Sequence, residues 1–354
     1  MNKHRIAVIA GDGIGKEVIP AGLSVLRAAA EVCGFEIETE EFPWGCDYYL
    51  QTGRMMDEDG LPRLRDFSAI YLGAIGDPAR VPDHISLRDL LIKIRQNFDK
   101  YINLRPIRLL AGLQSPLRDK GRREIDFVCV RENSEGEYCG WGGRLRQGQP
   151  DEIAEQTVVF TRLGVERALR YAFELARQRR KRLASATKSN AMQYTMVMWD
   201  EICREVARDY PDVEVTPYHV DALAARFVLQ PESLDVVVGS NLFGDILTDL
   251  GGALQGSLGI PASANLNPER RYPSLFEPVH GSAPDIAGRG VANPTAAIWA
   301  GAMMLEHLGE KDAAQLVMNA LERALELGRV RTLDLGGRHT TREMAVEVVR
   351  MLEP

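Results

Sequence analysis

Apolar residues recur along this chain with two different periods. Short, nearly continuous runs at 6–10, 69–73, 126–131, 158–161, 183–187, 213–217 and 235–240 read as buried strands. Longer stretches at 16–32, 86–98, 164–180, 191–209, 221–229 and 243–256 repeat their apolar positions every three or four residues and read as amphipathic helices. Alternation of the two predicts an α/β fold, with a largely parallel sheet under helical cover. After Gly256 the texture changes. Residues 261–294 are rich in Pro, Gly, Ser and Asn, which predicts a long ordered loop of the kind that usually carries function. Helical periodicity returns at 294–308, 311–327 and 340–351. The Gly-rich, polar stretch 137–155 has little helical period, and reads equally as a flexible loop or as an arm that pairs with a second subunit.

Composition narrows the picture. With 354 residues, 45% of them hydrophobic and 26% charged, the chain exceeds one simple core and predicts two lobes. A net charge of −7 leaves no basic footprint for nucleic acid, and the local basic run at 177–182 reads as a solvated helix end. No stretch is long and apolar enough for a bilayer, and the run 6–10 is too short for a signal-peptide core. The five cysteines are odd in number and irregular in spacing, with no CxxC pair, so reduced thiols of a cytoplasmic protein are expected.

Several constellations could carry chemistry. Gly11-Asp12-Gly13-Ile14-Gly15 joins a strand to a helix but misses the Gly-x-Gly-x-x-Gly dinucleotide spacing, because Lys16 stands where the third glycine should be. Asp245 and Asp249 lie four apart in Asn241-Leu242-Phe243-Gly244-Asp245-Ile246-Leu247-Thr248-Asp249, on one face of a predicted helix, where a hard dication would relieve their repulsion. Arg95, Arg105 and Arg131 stand in or beside apolar segments, and suit either carboxylate recognition or structural ion pairs. Tyr138 and Lys188 are a candidate acid and base, with Lys188 partly desolvated just past an apolar strand. In Glu277-Pro278-Val279-His280-Gly281-Ser282-Ala283-Pro284-Asp285-Ile286, Asp285 could accept from a ribose 2′-hydroxyl and would repel a 2′-phosphate.

Together with Asn103-Leu104-Arg105-Pro106, Arg131-Glu132-Asn133-Ser134-Glu135-Gly136-Glu137-Tyr138 and Thr187-Lys188-Ser189-Asn190, these motifs resemble the isocitrate/3-isopropylmalate dehydrogenase superfamily over most of the chain. The stretches 81–87, 226–231 and 263–270 look most like its members that act on tartrate and D-malate. The resemblance implies an isopropylmalate dehydrogenase-like two-domain α/β fold rather than a Rossmann fold. Residues 1–98 and 251–354 would form the large cofactor-binding domain and 99–250 the small domain, with 137–155 as an intersubunit arm and the active site in the interdomain cleft. It implies that Arg95, Arg105 and Arg131 hold substrate carboxylates, and that Asp245 and Asp249, with Asp221 from a partner subunit, bind Mg²⁺ or Mn²⁺. Lys188, also from the partner, would take the 2-hydroxyl proton and Tyr138 would protonate C3. His280, Gly281, Ala283, Asp285, Ile286 and Asn293 would bind the adenosine of NAD, and Asn190 would lie near the nicotinamide.

The implied reaction is NAD-dependent oxidation of a small 2-hydroxy dicarboxylate, tartrate or D-malate, with metal-assisted loss of a β-carboxylate, in a homodimer that shares its active sites. A monovalent cation such as K⁺ could accompany the dication. In Leu87-Arg88-Asp89-Leu90-Leu91, the charged pair suits a small polar C3 substituent, whereas Leu90 and Leu91 keep 3-isopropylmalate open. A non-catalytic regulatory subunit is the alternative from another class, and the presence of Tyr138, Lys188, Asp221, Asp245 and Asp249 speaks against it.

Overall fold

The structure is a computed structural model that describes residues 2–352, so positions 1, 353 and 354 of the expected large domain lie outside it. Its strands are β1 (Lys3–Gly11), β2 (Glu36–Glu41), β3 (Ala69–Ala74), β4 (Ile102–Arg108), β5 (Asp126–Glu132), β6 (Gly142–Leu145), β7 (Ile153–Gln156), β8 (Arg182–Thr187), β9 (Glu214–His219), β10 (Val236–Gly239), β11 (Ala262–Leu266) and β12 (Ser274–Pro278). The helices are α1 (Gly15–Cys33), α2 (Cys46–Thr52), α3 (Gly60–Leu64), α4 (Asp83–Ser86), α5 (Lys93–Asn97), α6 (Arg162–Gln178), α7 (Thr195–Ala207), α8 (Val220–Leu229), α9 (Asn241–Leu254), α10 (Thr295–Leu308), α11 (Lys311–Leu327) and α12 (Thr341–Arg350).

Ten strands form one sheet in the order β2-β1-β3-β12-β11-β4-β5-β10-β8-β9. The expectation of a largely parallel sheet holds at both ends. β2, β1, β3 and β12 are mutually parallel, as are β5, β10, β8 and β9. Between these halves, β12–β11, β11–β4 and β4–β5 are antiparallel, so the two halves point in opposite directions. The inner strands of the parallel halves, β3, β5, β10 and β8, are apolar because helices cover both faces. α10 is apolar nearly all round, with Ala296, Ala297, Ile298, Ala300, Met304 and Leu305 buried, as a helix wedged between sheet and helical layer requires.

Three sequence expectations need correction, and strands β2 and β4 were not anticipated. Residues 158–161 are not a strand. Val159 makes only an isolated bridge to Gly136, while the Glu135 carboxylate takes the Thr161 amide at 2.8 Å and its hydroxyl at 2.6 Å, so local bonds replace a ladder. The 261–294 stretch is not wholly a loop, because β11 and β12 lie in it with every residue buried. β2 was hidden by its composition, since its charged residues line a sheet edge, where charge discourages pairing with other chains. The helix expected at 86–98 is α4 and α5 joined through a widened π turn, Leu87–Ile92. The open alternative at 137–155 resolves into a separate hairpin, β6–β7, with all residues of both strands exposed.

Candidate active site

The three arginines expected at the site are all buried, at 9% exposure for Arg95, 7% for Arg105 and 2% for Arg131. Two come from adjacent antiparallel strands. Arg105 projects from β4 on the same face as Asn103, two residues earlier, and Asn103 pairs in register with Arg131 on β5. Arg131 donates to Asn241 Oδ1 from Nε at 3.1 Å and Nη2 at 2.6 Å, and to Asp245 from Nη1. Arg105 reaches Asp245 from Nη2 at 3.2 Å and Asp249 from Nη1 at 3.9 Å, while Nη1 also donates to Thr248 at 2.5 Å and Nε donates to Asn103 at 2.7 Å. Arg95 comes from α5 and donates to Glu277, on β12, at 2.7 Å. Tyr138 lies on a short 3₁₀ turn, with the Arg131 guanidinium 5.6 Å from its ring centre.

Asp245 and Asp249 project from α9, whose first turn is capped by Ser240 accepting from the Phe243 amide. Gly244 lets this helix lie against β5, since a Cβ there would stand 2.7 Å from Arg131 Cβ. Electrostatics single out this corner. Burial first and the Arg105 charge second depress the affinity of Arg131 for its proton. The crowded floor around Asp249, and then the Asp245 carboxylate, hold the Asp249 carboxyl above its ordinary range. Two acidic groups that repel each other, with hard oxygen donors open to one side, suit Mg²⁺ or Mn²⁺.

Lys188 and Asp221 form a pair of their own. Lys188 follows β8 and donates to Asp221, on the first turn of α8, at 2.6 Å, and this bond is the main cause holding the Asp221 carboxyl below its ordinary range. Within one chain Asp221 does not join Asp245 and Asp249. Among the described residues, no three Asp, Glu, His or Cys side chains gather where a metal ion could be held.

Four of the residues expected to bind adenosine, His280, Ala283, Ile286 and Asn293, line a cavity of about 470 Å³ with Ile14 and Leu258. His280 Nε2 is buried there without a partner, its Nδ1 lies 3.0 Å from the Gly281 carbonyl, and burial lowers its pKa, so the ring is a neutral polar group able to meet a ligand. Ala283 holds φ +41°, a strained value for a residue with a side chain. Gly13 permits the loop Gly11–Gly15 to pack on this one, because a Cβ would sit 1.9 Å from the Ser282 carbonyl oxygen. Gly281, Asp285 and Asn190 are exposed and do not line the cavity. A larger cavity of about 710 Å³, between α1 and the segment after β2, contains none of the expected site residues.

Sequence reasoning assigned no role to Asn103, Asn241, Asn265, Glu277 or Asp334. Asp334 lines the same cavity as His280 and accepts from Asn293 at 2.9 Å. Asn241, Asn103 and Glu277 stand inside recognised motifs, so a signal existed. Asn265 stands inside the stretch 263–270 that carried the resemblance, whereas Asp334 carried no signal beyond being polar.

A family model described as isocitrate/isopropylmalate dehydrogenase matches residues 5–348. The chain belongs to that family. It is therefore an enzyme, a dehydrogenase by family, and the strained, buried and charged groups above have a reason to be held together. Relatives that it resembles include a probable tartrate dehydrogenase/decarboxylase of Bacillus subtilis, 51% identical with 99% of each chain covered. A D-malate dehydrogenase (decarboxylating) of Escherichia coli is 53% identical, again over 99% of each. Among solved structures, isocitrate dehydrogenase from Methylococcus capsulatus superposes with a TM-score of 0.89 at 37% identity, covering 99% of this chain and 100% of that one.

Proposed function

We propose that this dehydrogenase oxidises small 2-hydroxy dicarboxylates, D-malate and tartrate foremost, with NAD and a divalent cation, and releases a β-carboxylate as CO₂. The observation that carries this reading is the pair of buried guanidinia on Asp245, Arg105 and Arg131, with a third buried guanidinium, Arg95, near enough for its charge to act on Arg131, which makes a cationic cradle for a small dianion beside a carboxylate pair. The names of the relatives support the same substrates. Arg88 and Asp89, exposed on the widened turn, favour a small polar C3 substituent over an isopropyl group.

In this reading Arg95, Arg105 and Arg131 bind and orient the two carboxylates. Asp245 and Asp249 hold Mg²⁺ or Mn²⁺, and the His280–Asn293 cavity holds the adenosine of NAD. A bound dication would supply Lewis-acid polarisation of the substrate oxygen, and a bound dinucleotide would supply the acceptor for the C2 hydride. Lys188 takes the hydroxyl proton and Tyr138 returns one to C3 after CO₂ leaves.

Lys188 and Asp221 reach this site from a second copy of the chain. Support comes from the exposed apolar residues around it: Ile246, 58% exposed between Asp245 and Asp249, and Leu229, 70% exposed on α8. Trp141, Leu145 and Ile153 expose a further apolar face on the β6–β7 hairpin. The two-domain division at residues 98/99 and 250/251 and a cytoplasmic location belong to the same reading. No described helix is long and apolar enough to cross a membrane.

The test is a panel assay of the purified protein with NAD⁺ and Mn²⁺ on D-malate, tartrate and 3-isopropylmalate, following NADH and CO₂ together. D-malate and tartrate should give the highest kcat/KM. A preference for 3-isopropylmalate by about two orders of magnitude overturns the substrate assignment, since a single apolar contact surface supplies roughly that much discrimination.

A further inference from the structure

Asn265 stands at the joint where the two oppositely directed halves of the sheet meet. It lies on β11 directly opposite Asn103 of β4, which in turn lies opposite Arg131 of β5. Its side chain is closed to solvent. The amide oxygen accepts from Asn103 Nδ2 at 2.9 Å and from Asn133 Nδ2 at 2.9 Å, while the amide nitrogen donates to Glu277 Oε1 at 2.7 Å. Each side of this amide leads to a guanidinium. Asn103 Oδ1 takes Arg105 Nε at 2.7 Å, and Glu277 Oε1 takes Arg95 Nη2 at 2.7 Å. Glu277 also lies on β12, which leads directly to His280 and the adenosine cavity.

We propose that Asn265 is a positioning residue that couples binding of the dicarboxylate to binding of the dinucleotide. The proposal rests on the assignment of Arg95 and Arg105 to substrate carboxylates and of the His280 cavity to NAD. An amide has distinct donor and acceptor ends, and here both are committed: the oxygen uses its two lone pairs on Asn103 and Asn133, and the nitrogen serves Glu277. Turning the amide over would set donor against donor on one side and acceptor against carboxylate on the other. Its orientation is therefore fixed from both sides. Substrate that draws on Arg95 loosens the hold of that guanidinium on Glu277, and Asn265 is the group through which the change reaches Asn103 and Arg105. In a buried network each bond polarises the next, so one member's displacement is felt along the chain.

The experiment measures linkage rather than activity. NADH fluorescence gives the Kd of NADH for the full-length protein with Mn²⁺, with and without saturating D-malate, a pair that cannot react because both members are already reduced. The comparison covers the wild type, Asn265→Ala and Asn265→Asp. Asn265→Asp keeps both acceptor bonds to Asn103 and Asn133 but sets a second carboxylate against Glu277, so it tests coupling in a variant that retains half of the network. In the wild type D-malate should change the Kd of NADH about fivefold or more, and in both variants that ratio should fall towards one. A merely structural asparagine would lower thermal stability and weaken both ligands while leaving the ratio intact, and that result overturns the proposal. A wild type that turns over D-malate but shows no linkage overturns it as well. Failure of the wild type to oxidise either D-malate or tartrate defeats instead the functional reading on which the proposal rests.

Discussion

Asp245 accepts from both Arg131 and Arg105, so it is the counter-charge of two buried cations as well as a candidate metal ligand. Asp245→Asn keeps the shape and removes the charge. It should raise the Mn²⁺ concentration needed for half-maximal rate and cut turnover on every substrate by at least about a hundredfold, as loss of a ligand or its immediate support does. A variant with unchanged manganese dependence would refute the metal role. His307 illustrates a different residue-scale effect. Burial, and then the Arg270 charge, lower its pKa from 6.5 to about 4, and its ring tilts against Phe276 at 5.5 Å. The folded state therefore holds fewer protons than the unfolded state between those values, so stability is complete above 6.5 and is lost as pH falls towards about 4. His307→Leu should flatten that acid limb in urea-unfolding midpoints; an equally steep limb would show that other groups dominate it. At this scale the charged site residues were legible. Arg105, Arg131, Asp245 and Asp249 are conspicuous because charge is costly in apolar surroundings. Asn265 and Glu277 stood inside recognised stretches, but their roles were not legible, since the partners of a buried polar side chain leave no mark on the sequence until the fold brings them together.

Among the elements, α9 gathers most of the candidate site: a Ser240 cap, Asn241 on Arg131, and two carboxylates one turn apart. Its closeness to β5 depends on Gly244. Gly244→Ala should cost about 1–3 kcal/mol of stability, the usual penalty of overpacking, because the new methyl would meet Arg131 Cβ and Cγ at 2.7 and 2.8 Å. It should also raise KM for D-malate more than it lowers kcat, since the displaced group, Arg131, is the one proposed to bind substrate. A variant with normal stability and kinetics would mean that the helix shifts freely. Helices with a full amphipathic stripe, such as α11, matched their expected bounds, whereas α4 and α5 did not read as separate helices, because the π turn between them, Leu87–Ile92, has no Gly or Pro to mark a break. Strands β11 and β12 were missed because their interior bonds run through Asn and Ser side chains, so their sequence lacks the apolar run that marks a buried strand.

In the whole molecule the proposed site is divided. One chain supplies the arginines, Asp245, Asp249 and Tyr138, while its own Lys188–Asp221 pair stands apart. Lys188→Ala and Asp245→Asn should therefore each be nearly inactive alone, yet mixing them under conditions that exchange subunits should restore about a quarter of the wild-type sites, the share expected of two-fold dimers in which one site of each mixed pair is intact. No recovery, with subunit exchange verified by size and mass, would place all catalytic groups within one chain. The linear order of residues determined the alternation of strand and helix, the family motifs and the identity of the charged groups, because local periodicity and the cost of buried charge leave marks on every sequence. Only the tertiary structure decided which half of the sheet each strand joins, that β11 and β4 reverse its direction, and that Asn103, Asn265 and Glu277 connect one arginine to another across that reversal. Hydrogen bonds between residues 162 positions apart have no period to betray them; they are settled when the chain closes and every buried polar group must find a partner.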